Sequence, residues 1–284
     1  MAIFRNQATL SYGGNVTTSN VVTGELQQAV SVTKYAVTDT YTQDEVLTYV
    51  ISLVNTGTTP LTDLTVTDDL GAYVAGGATL VPLDYVTGSV NYYVEGVLQP
   101  PPAVASTSPL TFTGIDVPAG GNTFLVYQAQ VNEFASPVQG GTVTNTVVVT
   151  GAGLPASIEA SETVTAASEA FLTIGKSLSP TTVSEGDRLT YTFVIQNFGN
   201  TPVVATDNAT VTDTFDPILT DLVVTFNGVT WTEGVEYTYD ETTGAFATVP
   251  SNITVPAATY TQNPTTGAWT VVPGVRTLVV VGTV

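Results

Sequence analysis

The chain repeats itself, and the repeat limits what it can fold into. Residues 32–69 read VTKYAVTDTYTQDEVLTYVISLVNTGTTPLTDLTVTDD, and residues 174–214 read IGKSLSPTTVSEGDRLTYTFVIQNFGNTPVVATDNATVTDT. Lys34 aligns with Lys176, Leu47-Thr48-Tyr49 with Leu189-Thr190-Tyr191, Asn55 with Asn197, and Thr65-Val66-Thr67-Asp68 with Thr210-Val211-Thr212-Asp213. Further on, VPAGGNTFLVYQAQV (117–131) pairs with VPGVRTLVVVGTV (272–284). Motifs recurring in the same order predict two copies of one folding unit.

The copies differ in one respect. After Gln130 the first continues through Thr144-Asn145-Thr146-Val147-Val148-Val149-Thr150, a turn, and Glu159-Ala160-Ser161-Glu162-Thr163-Val164. The second reaches Val284 without a counterpart, which predicts an open core face and strand edge. A candidate lies at the other end: Asn6-Gln7-Ala8-Thr9-Leu10-Ser11, then Gly13-Gly14, then a β-like run at Ser19–Thr23. Like 145–164, this segment leads into the lysine-bearing strand. The expected organisation is a donor hairpin and connector at 1–28, a first domain at 29–167, and an incomplete acceptor domain at 168–284. The hairpin could fold back onto its own second domain or complete that of a neighbouring molecule. Only the second arrangement makes an open-ended contact that propagates as a filament. A chain cut from a longer repeat protein, whose next residues supply the hairpin, is the plainer alternative.

Valine, threonine, tyrosine and phenylalanine in short alternating runs, broken by Gly, Pro, Asn and Asp, predict β-strands and turns; no stretch has a helical period. The expected fold is all-β: two tandem immunoglobulin-like β-sandwich domains with an N-terminal donor-strand segment. The 24 acidic residues against 5 basic ones make nucleic acid and anionic lipid poor partners. Without cysteine there are no disulfides or thiolate sites. No run approaches the ~20 apolar residues of a membrane span, and the first residues lack a leader's apolar segment. The chain is therefore expected to be cytosolic, a mature form, or released by lysis.

The only two lysines occupy equivalent positions. Strand alternation puts Lys34 on the face of Val30 and Val32, and Lys176 on that of Leu172 and Ile174. A lysine facing a core is costly unless it is paired or used. Matching parity places Asp68 with Leu64 and Val66, Asp213 with Ala209 and Val211, Asn145 with Val143 and Val147, and Asn6 with Phe4, Ala8 and Leu10. Such Lys–Asp–Asn sets resemble the triad that forms intramolecular isopeptide bonds in Gram-positive pilins and adhesins. Burial favours the neutral amine as nucleophile, and the aspartate can polarise the carboxamide and carry a proton. The resemblance implies a Lys34–Asn145 bond within the first domain, and a bond from Lys176 to Asn6 of a neighbouring subunit. An ordinary buried Lys–Asp ion pair is the alternative.

Other constellations are weaker. Asp68 and Asp69 point to opposite faces of a strand, so they make a poor catalytic pair, and Asp213 with Asp216 is no better supported. Calcium at Asp63 or at Asp207-Asn208 is physically reasonable for acidic loops, but neither carries a recognisable loop motif, and no other cofactor is expected. Tyr92-Tyr93, Trp231 and Trp269 read as packing rather than a sugar platform, and Pro100-Pro101-Pro102 as a rigid loop. The usual hydrolase and nucleotide motifs are absent, so no enzymatic activity is expected beyond an autocatalytic cross-link.

The pattern of lysine, Leu-Thr-Tyr, Asn-x-Gly and Thr-Val-Thr-Asp, closed by Thr-Asn-Thr-Val-Val-Val-Thr, resembles a bacterial conserved-repeat surface domain of unknown function. That resemblance implies immunoglobulin-like folds in stalks, adhesins or fibres of Gram-positive bacteria and archaea. A two-repeat chain also looks like the spore-appendage subunits of anaerobic spore-formers. No sortase-type sorting motif is present. The expected function is a homopolymeric surface or spore-surface fibre, with a ligand-binding adhesin or stalk module as the rival.

Overall fold

The computed structural model describes residues 2–26 and 29–284, with the side chains of Ala2, Glu25 and Leu26 left aside. It is all-β apart from a single 3-10 turn at Ala205–Asp207, and it divides into two compact units. The first comprises residues 1–135 and 142–165, the second 136–141 and 166–284.

The first unit opens with a broken hairpin. Strand β1 (Ala2–Asn6) pairs antiparallel with β4 (Val22–Leu26), and β2 (Thr9–Tyr12) with β3 (Asn15–Thr18). Gly13 and Gly14 both have positive φ, the two-residue turn that suits the right-handed twist of a ribbon. The second run was expected at Ser19–Thr23, but the ladder is interrupted there. The Ala8 N–H donates to Ser19 Oγ at 2.9 Å and Gln7 Nε2 donates to the Ser19 carbonyl at 2.8 Å. Side chains thus satisfy groups that a continuous ladder would have used.

Two sheets follow, packed as an immunoglobulin-like sandwich. One has the order β13 (Val97–Gln99), β12 (Asn91–Val94), β16 (Asn122–Val131), β7 (Val46–Asn55), β5 (Val30–Ala36), with β11 (Leu83–Tyr85) also on β16. The other runs β14 (Ala103–Thr107), β15 (Leu110–Val117), β8 (Leu61–Asp68), β17 (Thr142–Thr150), β18 (Ile158–Ala166), β6 (Thr40–Tyr41). A small ribbon joins β9 (Tyr73–Ala75) to β10 (Ala78–Leu80). Alternation fills the space between the sheets: Leu47, Tyr49, Ile51, Leu53, Leu125 and Tyr127 from one, and Leu64, Val66, Phe112, Val147 and Val149 from the other, are buried.

The second unit repeats the main path of the first sheet, without a separate counterpart of β11 among the described residues. Its order is β23 (Val229–Thr230), β22 (Thr220–Phe226), β28 (Gly274–Thr283), β20 (Arg188–Asn197), β19 (Leu172–Ser179). The facing sheet has three strands, β21 (Thr212–Thr214), β25 (Ala245–Thr248) and β24 (Tyr237–Asp240), standing for β8, β15 and β14. A separate ribbon pairs β26 (Thr259–Gln262) with β27 (Trp269–Val272). Among the described residues nothing pairs with β21 on the side where β17 joins β8. The repeated asparagines serve the same turn in both units. Asn55 Oδ1 accepts from Gly57 N–H at 3.0 Å, and Asn197 Oδ1 from Gly199 N–H at 2.9 Å.

Candidate functional site

Three strands of the first unit bring Lys34, Asp68 and Asn145 into one buried cluster. Lys34 lies on β5, whose burial alternates through Val30, Lys34 and Ala36. Asp68 ends β8, where Leu64 and Val66 precede it on the inner face. Asn145 lies on β17 two residues before Val147, the cross-strand partner of Asp68, and so shares its face. The side chains of Lys34 and Asp68 are fully buried and meet at 2.5 Å.

A fourth residue links them. The Tyr127 hydroxyl, on β16, donates to Asp68 Oδ2 at 2.6 Å and accepts from Asn145 Nδ2 at 3.1 Å. The other Asp68 oxygen accepts from the Leu70 N–H at 3.0 Å. Asn145 Oδ1 and the Tyr49 hydroxyl are buried without a hydrogen bond. Tyr49 stacks on Tyr127 with ring centroids 5.7 Å apart, and Lys34 Nζ lies 5.1 Å from the Tyr49 centroid.

The electrostatics follow from burial. Desolvation pushes the Lys34 ammonium below its ordinary value, against the opposing pull of Asp68 and its hydrogen bond. Burial, then the charge of Asp68, holds the Tyr127 phenol well above its usual range. The cluster therefore holds an amine biased toward its nucleophilic form, a carboxylate in contact with it, and a phenol that stays protonated. An amine, a carboxylate and a carboxamide held together in this way are the groups that acyl transfer to an amine requires.

The second unit holds an unfinished version. Lys176 pairs with Asp213, and its Nζ lies 4.5 Å from the Tyr191 ring centroid. It was expected to face a core, yet its side chain is 40% exposed, and Leu172 and Ile174 beside it are exposed too. The missing cover explains this: β17 packs over β5, whereas β19 has no such strand over it among the described residues. No asparagine is hydrogen-bonded to the Lys176–Asp213 pair there. Val280 sits opposite Tyr191 where Tyr127 sits opposite Tyr49, so the bridging phenol is also absent.

The hairpin carries the remaining residues singled out in the sequence. On β1, Asn6 pairs with Val22 of β4, and Phe4, Asn6, Ala8 and Leu10 are all exposed. Ile3, Tyr12, Val16 and Val22 are exposed as well, so the ribbon shows apolar groups on both faces. Among the described residues no group of three or more acidic, histidine or cysteine side chains is placed to hold a metal. At the loops considered for calcium, Asp207 Oδ2 accepts from the Val204 N–H at 2.7 Å, and the Asp63 N–H donates to Asp116 Oδ1 at 2.9 Å. Trp231 stacks on Phe226 at 4.9 Å. No helix among the described residues is long and apolar enough to cross a membrane.

Comparison with protein-family models and with curated sequences finds no match. Among solved structures, the chain is similar to the major pilin subunit of Bacillus cereus (TM-score 0.37, 13% identity, 95% of this chain and 73% of that one). It is also similar to the pilus backbone of Streptococcus pneumoniae (TM-score 0.32, 12% identity, 86% and 56%). The collagen-binding domain of a Staphylococcus aureus adhesin matches at TM-score 0.30 and 11% identity, over 49% of this chain and 99% of that one. Enzymes are among the other matches. Likeness at this level decides no function, which has to come from the site itself.

Proposed function

We propose that the chain is a structural subunit that assembles head to tail into an extracellular or spore-surface fibre, each hairpin completing the second unit of a neighbouring copy. One observation carries this reading: the same alternating row is covered on β5 and bare on β19, while β1–β4 offers an uncovered apolar ribbon. With Asn6 in the place of Asn145, Phe4, Ala8 and Leu10 take the places of Val143, Val147 and Val149. The added strand would satisfy the free edge of β21 and cover Leu172, Ile174 and Leu178.

Two covalent bonds belong to the same proposal. Lys34 attacks the Asn145 carboxamide within the first unit, and Lys176 attacks Asn6 of the inserted hairpin; each step forms an amide and expels ammonia. The bond would close the first unit against unfolding, and the second would make each joint permanent.

Electron microscopy and denaturing electrophoresis of the purified chain, beside a variant lacking residues 2–12, test the proposal. Filaments and a boil-resistant ladder, both lost with the deletion, are the expected outcome. Folded monomers at high concentration in the intact chain would overturn it. Filaments without a ladder would remove only the intersubunit bond.

A further inference from the structure

We propose that Tyr127 is the acid that protonates the leaving nitrogen of Asn145, receiving its proton from Lys34 through Asp68. The inference rests on the proposed Lys34–Asn145 cross-link and assigns a residue to it that the lysine–aspartate–asparagine set does not contain.

The atoms form an unbroken chain. Lys34 Nζ is 2.5 Å from Asp68 Oδ2, that oxygen is 2.6 Å from the Tyr127 hydroxyl, and the hydroxyl is 3.1 Å from Asn145 Nδ2. Each separation is within proton-transfer reach. Every member is buried, so water cannot substitute for a missing link. The route ends on the nitrogen, the atom that must depart. An amide nitrogen is a poor base and a poor leaving group while its lone pair is delocalised into the carbonyl. Once the lysine nitrogen adds to Cγ, the carbon becomes tetrahedral, the lone pair localises, and Nδ2 can accept a proton.

The proton balance closes. A lysine ammonium carries three protons. The first passes to Asp68, freeing the amine to attack Asn145 Cγ. The tetrahedral adduct then takes a proton on Nδ2 from Tyr127, which is refilled from Asp68, and the C–N bond breaks to release ammonia. The second lysine proton moves to Asp68 and stays there, and the third remains on the new amide. One C–N bond forms, one breaks, and no redox partner is needed. Tyr127 ends as it began, a neutral phenol.

The second unit shows the contrast. Val280 holds the position of Tyr127 and has no proton to give. A bond from Lys176 to an inserted Asn6 would lack the relay and would form more slowly than the bond inside the first unit.

The test compares intact masses of the full-length wild type with Tyr127→Phe and Tyr49→Phe. Both variants keep a ring and lose one buried hydroxyl, but only the Tyr127 hydroxyl lies on the proton route. Near-ultraviolet circular dichroism confirms that each is folded. The wild type and Tyr49→Phe are expected to have lost the first-unit ammonia by the earliest time point, in peptides joining Lys34 to Asn145. Tyr127→Phe is expected to keep that ammonia initially and lose it at least about 10²-fold more slowly, the usual contribution of a positioned acid. Prompt loss in Tyr127→Phe overturns the relay while leaving the cross-link standing, and so does equal slowing in Tyr49→Phe. An uncross-linked wild type overturns both.

Discussion

Replacing Phe4 and Leu10 with serine changes only surface in the isolated chain, where the two side chains are 58% and 61% exposed. Inserted between the sheets of a neighbour, they would bury most of that area. Full burial of such side chains contributes about 2 kcal/mol each. The exposed three-fifths therefore comes to about 1.2 kcal/mol per residue, or ~2.5 kcal/mol for the pair. At 1.4 kcal/mol per tenfold, the critical concentration for assembly should rise about 50- to 60-fold. Serine also removes favourable packing, so this is a lower bound. The measurement is pelleting across a dilution series, with Asn6→Ala in both proteins so that no covalent joint obscures the equilibrium. The melting temperature of the monomer should stay within a degree or two. An unchanged critical concentration, with the fold intact, would refute insertion of this face of the hairpin.

Two further outcomes concern the first unit. Asn145→Ala removes the cross-link and releases a loop from residue 34 to 145. By analogy with disulfides such a loop is worth ~4–5 kcal/mol, so its melting transition should fall by roughly 15 °C; calorimetry showing no drop would argue against the bond. The same variant should gain a pH dependence that the wild type lacks. Its Lys34 amine is free, with a folded value below the unfolded 10.5, so the unfolded chain holds a proton that the folded one has lost. Stability then rises with pH from that lowered value to about pH 10, above which the raised tyrosines reverse the trend. Urea midpoints from pH 7 to 10 that run parallel in the two proteins would contradict this.

How much of this was legible in the sequence varies by residue. Strand parity alone put Lys34, Asp68 and Asn145 each on the core-facing side of its own strand, because alternation along a strand is fixed by backbone geometry; that the three meet was not legible. The repeat likewise anticipated the shared order of β5, β7, β16 and β12 with β19, β20, β28 and β22. Tyr127 was not foreseen: it is one of 13 tyrosines, and its role depends on which strands lie across from it. The aligned copies did hold a signal, since a tyrosine in one faces a valine in the other. Lys176 shows the reverse limit. Parity gave its direction correctly, but its burial depends on strands that must come over it from elsewhere. The break in the hairpin was hidden as well, because Ser19 and Gln7 replace ladder bonds in a way no hydrophobic pattern records.

The position of the proposed bond determines how the first unit would carry load. Asn145 does not lie on the last strand of the unit: β17 is followed by β18, which pairs with it from Thr142↔Thr165 to Val149↔Ile158. Tension along a fibre would enter near residue 29, reach Lys34, cross to Asn145 through the amide, and leave through 146–165. Residues 35–144 lie outside that path and stay folded, while β18 can be peeled from β17. Peeling would release the segments 29–34 and 145–165, about 27 residues, or ~95 Å at ~3.5 Å per residue. Without the bond the same unit would yield residues 29–165, about 137 of them and roughly 480 Å. Single-molecule pulling on the full chain, beside Lys34→Ala, should therefore give a short first-unit extension in the wild type and the long one in the variant. Equal long extensions would show that residues 34 and 145 are not joined. A wild-type extension near zero would mean that the load is carried beyond Asn145, by contacts of β18 strong enough to hold against the same force.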